Sequence, residues 1–394
     1  MLKTLINFVK HMNNTIATIP HLEEIRKIRS LEQRILQETH IPVYDVSNWN
    51  PGKEYKKLIY QTYNNNRNFN YLDYHYSYEY NENIKATVMG QLLTISSNIY
   101  NCVFTHSATA AICCIADYLK KHCYNKICVL EPAYFSIYAC LQSFGLDVYT
   151  ESVILDTEGQ CLFPYEAVTR GKYDAIWITS PIFSTGLYYC QSQINYIKKI
   201  IQKGIILIID ESAASPTNYL TQYLYPQNNI ISLFSPHKYL SINSIKFAII
   251  LCSKQIANYF EDWIDVFIGS LPESACAAIE HYISPNYMEC YDIHEKYIAK
   301  NLSVIQELTD AFPDNFYKGA ESNYITIQNN SLPYINTIKE AEMSKLMQIA
   351  HVSFIPGFIN GFAKPWGFCY RVNLTLDTDK LKGHLGRLFS YFLR

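Results

Sequence analysis

The sequence predicts an α/β fold in which a mostly parallel central sheet carries helices on both faces and is followed by a smaller α+β unit. Three observations lead there. Between about residues 100 and 252, short β-branched or apolar runs alternate with helix-length stretches. Those runs are continuously apolar instead of alternating, which is the pattern of strands buried on both faces. At 394 residues and 45.7 kDa the chain is also long enough for two or three domains with a sizeable core.

In chain order, Leu22, Ile25, Ile28, Leu31 and Ile35 recur at helical spacing and predict an N-terminal helix within the first 40 residues. Residues 61–83 are rich in Tyr and Asn, with Tyr71, Tyr74, Tyr76, Tyr78 and Tyr80 close together. So many aromatics argue for packing or an interface over low-complexity disorder. Strands are expected at 102–105, 127–130, 175–179, 205–209, 230–234 and 247–252, with helices at 109–122, 134–144 and 192–203 between them. A long helical region follows at about 272–311, and strands at 324–327, 352–355 and 371–374 flank a helix at 337–349. The first group is an α/β layer fold and the second the smaller unit.

Composition narrows the class further. Lys+Arg 33 against Asp+Glu 35 gives a net charge of −2, with no electrostatic footprint for nucleic acid or an anionic membrane. Hydrophobic residues at 49% and charged residues at 17% exclude a disordered or collagen-like chain. The apolar run from Leu5 to Val9 is broken by Asn7 and is too short for a signal-peptide core. No stretch approaches the roughly 18–20 apolar residues of a membrane span, so a soluble, cytoplasmic protein is expected. The 12 Cys lie mostly inside apolar runs, as in Ala111-Ile112-Cys113-Cys114-Ile115, with no C-x-x-C. They read as buried free thiols in a reducing compartment, and neither Cys nor His shows metal-ligand spacing.

In open α/β sheets ligands sit beyond the carboxyl ends of the strands. The first strand is followed by Ser107-Ala108-Thr109, opening a helix whose free N–H groups and dipole suit a phosphate. The next ends in Glu131-Pro132-Ala133-Tyr134, and the third in Ser180-Pro181-Ile182-Phe183-Ser184-Thr185-Gly186. Asp210-Glu211-Ser212 and Ser235-Pro236-His237-Lys238 follow the fourth and fifth. Five strand ends thus bring a phosphate cradle, an aromatic ring, a carboxylate and a lysine to one edge.

This ordered set, completed by Pro356-Gly357 and Arg371, resembles the aspartate aminotransferase (class I/II) family of fold-type I pyridoxal-phosphate enzymes over about residues 40–380. The resemblance implies pyridoxal 5′-phosphate as cofactor, an amino acid/keto acid substrate and a homodimer with shared active sites. It also implies an N-terminal segment 1–55 joining the small domain, a large cofactor-binding domain 56–284 and a small C-terminal domain 285–394. Lys238 would form the Schiff base with the cofactor aldehyde and move the substrate's α-proton, as a desolvated amine can. Asp210 would keep the pyridine nitrogen protonated, and Tyr134 would stack on the ring. Ser107, Ala108, Thr109, Ser235 and Lys246 would hold the phosphate, with Ser212 completing the cofactor contacts, and Arg371 would grip the substrate α-carboxylate. Tyr74 or Tyr76 would reach the partner's phosphate. His106 and His237 read as hydrogen-bonding neighbours of the site.

The sequence departs from that family at several points. Phe183 stands where the family has an Asn that donates to the cofactor's phenolic oxygen, and Ala213 where a Tyr donates to the same atom. Lys246 replaces an Arg, keeping the charge and losing the bidentate fork. The N-terminal glycine segment reads Ser47-Asn48-Trp49-Asn50-Pro51. Without the two donors the phenolate is expected to be more basic and the bound cofactor to stay yellow well above neutral pH, unless another side chain or a water substitutes. The expected activity is an aminotransferase; the alternatives are a pyridoxal-phosphate lyase, cyclase, decarboxylase or oxidase of an amino acid, or a non-catalytic module of the same fold. Of only eight Arg, Arg371 alone occupies a substrate position, so no dicarboxylate preference is expected. Tyr134, Tyr138, Phe183, Tyr188 and Tyr189 suggest an aromatic pocket.

Overall fold

The computed structural model describes residues 20–48, 50–62, 82–92, 100–155, 160–225, 227–238, 246–269, 271–284, 286–319 and 322–393. Its centre is a 7-stranded sheet built from β1 (Tyr100–Thr105), β2 (Lys126–Glu131), β3 (Asp147–Ser152), β4 (Ala175–Thr179), β5 (Ile206–Asp210), β6 (Ile230–Phe234) and β7 (Ala248–Ser253). The spatial order is β1-β7-β6-β5-β4-β2-β3. All neighbours are parallel except β7, which runs antiparallel to β1 and β6.

The continuous apolar runs are explained by cover on both faces. Every residue of β4, β5 and β6 is buried. Ile206 and Ile208 of β5 enter a core shared with helices Ala108–Lys121, Phe135–Ser143 and Lys254–Phe267, whereas Leu207 and Ile209 meet helix Gln191–Ile201 on the other face. Successive side chains of a strand point to opposite faces, so a strand covered twice has no polar positions to show.

Strands β8 (Asn315–Phe316), β9 (Tyr324–Asn329) and β10 (Phe368–Asn373) form an antiparallel sheet, and a second core gathers β9 and β10 with the N-terminal helix Pro20–Thr39 (through Ile28, Leu31 and Ile35) and helices Glu340–Ala350 and Thr378–Phe392. Tyr44–Asp45 pairs in parallel with Val352–Ser353, fastening the N-terminal segment to this unit. At Gly357, a side chain would run into the Cys369 sulfur of β10, so only glycine fits there.

The expected strands and helices recur with ends displaced by a few residues, as helix and strand termini do. Strand β3 was not expected: its sequence Asp-Val-Tyr-Thr-Glu-Ser sits exposed at the sheet edge and carries no apolar run. Helices Lys254–Phe267 and Thr378–Phe392 were also not expected. The single helical region 272–311 is two helices, Glu273–Tyr282 and Asn286–Ala311. All twelve cysteines are free. Among the described residues no helix is long and apolar enough to cross a membrane, and no cluster of His, Cys, Asp and Glu could hold a metal. The tyrosines at 71–80, Tyr74 and Tyr76 included, lie outside the described residues.

Candidate active site

Strands β1, β2, β4, β5 and β6 all end at the same sheet edge, and the reversed β7 begins there. Around this edge lies a cavity of about 370 Å³ lined by Asn50, Ser107, Ala108, Thr109, Tyr134, Thr179, Phe183, Asp210, Ser212, Ala213, His237, Lys238, Lys246 and Tyr324. Eight of the ten residues expected at the site therefore face one space. Ser235 stands just behind it, its hydroxyl donating to Ser212 Oγ at 3.0 Å. Arg371 is the exception: it is 1% exposed and lies over the ring of Tyr324, 5.0 Å from the centroid, so that Tyr324 forms the wall. A second cavity, of about 270 Å³, lies on the smaller unit among Leu332, Ile335, Leu346, Phe354 and Phe392, and the two charged residues that line it, Lys339 and Glu342, pair with each other at 3.0 Å.

Each side chain is positioned by a local device. Ser107 is extended (φ −169°) and caps helix Ala108–Lys121, its hydroxyl accepting from the Ala110 N–H at 3.1 Å. That leaves an amide-rich helix start with positive dipole facing the cavity. Asp210 closes β5, in register with Thr179 of β4 and Leu233 of β6, and its Oδ1 accepts from the Ser212 N–H at 3.0 Å. Lys238 ends the short turn Pro236–Lys238 just after β6. Its N–H donates to the Ser235 carbonyl at 3.1 Å, and its own carbonyl accepts from Asn323 Nδ2 at 3.4 Å. Lys246 lies just before β7, exposed at the mouth. Tyr134 caps helix Phe135–Ser143 and tilts toward Phe183, with ring centroids 6.0 Å apart.

The electrostatics match a reactive amine. Burial pushes the Lys238 ammonium below its ordinary value, Asp210 pulls it back up, and the Arg371 charge pushes it down again. Burial likewise lowers Arg371 to about 10, while its Nη2 donates to the Ser47 carbonyl at 2.6 Å. His237 is a hydrogen-bonding neighbour, as expected: its Nδ1–H donates to the Phe247 carbonyl at 2.9 Å. Burial first, then the Lys238 charge, hold it down to about 4.

This donor set fits a flat, phosphate-bearing pyridine aldehyde. The helix start with Ser107, Thr109 and Lys246 suits the phosphate, Asp210 a ring nitrogen, Tyr134 a ring face and the Lys238 amine a carbonyl carbon. The expected aromatic pocket is partly corrected. Tyr134 and Phe183 line it, but Tyr138 donates to Glu131 (3.2 Å), Tyr188 accepts from the Ser215 N–H (2.9 Å) and Tyr189 is packed in the core. Thr179, Tyr324 and Asn50 were missed. Only Asn50 had a signal, as part of the altered glycine segment.

No protein-family profile and no curated protein matches the chain. Solved structures do. YbdL from Escherichia coli, described as having a methionine aminotransferase function, matches with a TM-score of 0.74 at 11% identity, covering 96% of this chain and 98% of that one. The N-succinyldiaminopimelate aminotransferase of Mycobacterium tuberculosis matches at 0.73 and 14% identity, covering 95% and 97%. An aspartate aminotransferase from Rhodobacter sphaeroides matches at 0.69 and 14% identity, covering 89% and 93%. At such identities the likeness is one of fold: the chain has the aminotransferase fold, fold type I of the pyridoxal-phosphate enzymes.

Proposed function

We propose that this chain is a pyridoxal-phosphate-dependent aminotransferase of an amino acid, tethering its cofactor through Lys238. One observation carries the reading: the Lys238 amine, the Asp210 carboxylate and the opened end of helix Ala108–Lys121 line the same cavity. When bound, the cofactor supplies an electron sink that acidifies the substrate's Cα–H bond.

The protein's part follows from its own groups. Ser107, Thr109 and Lys246 bind the phosphate, and Asp210, held by the Ser212 N–H, keeps the ring nitrogen charged. Tyr134 orients the ring. Lys238 would take the proton from the substrate Cα and return it at the cofactor's C4′ carbon, a task helped by the burial that lowers its basicity. Arg371 and Tyr324 form the side on which the α-carboxylate docks, the guanidinium supplying charge. A homodimer with shared sites belongs to the same reading.

Phe183 and Ala213 in the cavity wall favour a second reading, another pyridoxal-phosphate reaction of an amino acid such as elimination or decarboxylation. The test is borohydride reduction of the cofactor-loaded protein followed by peptide mass mapping, then an amino-acid panel. A reduced adduct on Lys238 that disappears in Lys238→Ala supports the reading, and its absence in the native chain overturns it. Conversion of the cofactor to its amine form by an amino acid marks transamination; return of the original spectrum after each turnover marks the second reading.

A further inference from the structure

Thr179 ends β4 and is 6% exposed, yet it lines the cavity, and its hydroxyl is buried without a hydrogen-bond partner. Burying a hydroxyl unpaired is costly, and a native structure keeps few such groups without a reason. Its neighbours are engaged. Ser107 Oγ accepts from the Ala110 N–H, Ser212 Oγ accepts from Ser235, and Asp210 Oδ1 accepts from the Ser212 N–H. Thr179 is also the register partner of Asp210 across the parallel pair β4–β5, so the two side chains project from adjacent strands, about 4.8 Å apart, on the same side of the sheet.

In pyridoxal phosphate the ring nitrogen and the carbon bearing the phenolic oxygen are separated by a single ring carbon. A ring whose nitrogen meets Asp210 therefore presents that oxygen along the same edge. The two residues at the positions that would serve it, Phe183 and Ala213, have no side-chain group that can donate, and both line the cavity. We infer that the Thr179 hydroxyl donates to the phenolic oxygen of the bound cofactor and replaces both; the inference rests on the pyridoxal-phosphate reading above. Threonine suits the task because branching at Cβ restricts its χ1 and so fixes where the hydroxyl points. A hydroxyl has one proton to give, and the phenolate is an acceptor that gains from it.

The test compares the affinities of the native chain, Thr179→Val and Thr179→Ser for two compounds, followed by quenching of intrinsic fluorescence. One is pyridoxal phosphate; the other is 3-deoxypyridoxal phosphate, which lacks the phenolic oxygen. Thr179→Val is expected to weaken pyridoxal phosphate about tenfold, the worth of one hydrogen bond to a charged oxygen, and to change the deoxy compound by less than about twofold. Thr179→Ser should stay within about threefold of the native chain for both. The pH at which the bound cofactor's absorption changes should also move upward in Thr179→Val, because an oxygen stripped of its donor holds the neighbouring proton more tightly. Equal losses for both compounds would show that the hydroxyl braces Asp210 or only fills space, and no loss for either would show that it touches nothing; each overturns the inference. A native chain that binds neither compound and yields no borohydride-stable adduct on Lys238 would bring down the underlying reading, and this assignment with it.

Discussion

Arg371 and Ser47, 324 residues apart in sequence, hold each other twice: Arg371 Nη2 donates to the Ser47 carbonyl at 2.6 Å, and the Ser47 hydroxyl donates to the Arg371 carbonyl. Both are buried, and the Ser47 hydroxyl also accepts from the Ile355 N–H at 2.8 Å. The N-terminal segment is thus part of the device that aims the guanidinium.

Ser47→Ala removes two of these bonds at a site without water access. It should cost about 2–4 kcal/mol, read as a lower urea midpoint at unchanged slope. A loosened Arg371 should also raise KM for the amino acid more than it lowers kcat. An unchanged KM would separate Arg371 from substrate binding.

His237, with its pKa lowered to about 4 by burial and by Lys238, is neutral in the folded chain and titrates near 6.5 when unfolded. Its folded value lies below its unfolded one. Its contribution is therefore present above about pH 6.5 and is lost as pH falls toward 4. Buried His294, lowered to about 3, acts in the same direction. The stability lost on replacing His237 by Gln should accordingly be larger at pH 7 than at pH 5 in denaturant titrations. A loss that grows on acidification would contradict the assignment.

Gly357→Ala should destabilise by about 1–3 kcal/mol, since the new methyl meets the Cys369 sulfur and lies within 3.1 Å of Phe362 Cβ. Cys369→Ala should recover part of that loss in the double variant, a coupling visible in a thermodynamic cycle. Strict additivity of the two changes would show that the sulfur is not the obstacle.

Phe183→Asn puts a donor back at a cavity position that has none. The reading above predicts tighter pyridoxal-phosphate binding and a lower pH for the change in the bound cofactor's absorption, measured by spectrophotometric titration. A shift in the opposite direction would mean that residue 183 does not face the phenolic oxygen.

Lys238, Asp210 and the 107–109 turn stood out in the sequence because each lies at or just after the end of a strand, and strands buried on both faces announce themselves as apolar runs. What stayed hidden depends on contacts between distant segments. Thr179 sat at the end of an expected strand, but its neighbour Asp210 is fixed by sheet register, which no local pattern encodes. Tyr324 read only as the start of a strand, and its place over Arg371 follows from the pairing of β9 with β10. Tyr138, Tyr188 and Tyr189 were near enough in sequence to suggest the pocket, yet each turns to a partner or to the core. The polar edge strand β3 owes its form to β2 beside it and not to its own composition.

The reversed direction of β7 has a consequence for how this chain can vary. Its residues feed two cores by turns, Ala248, Ile250 and Cys252 into one and Ile249 and Leu251 into the other, which Phe247 just before the strand also enters. A one-residue slip of β7 against its neighbours would exchange the contents of both interiors. The register of this one strand therefore fixes which side chains fill both cores at once.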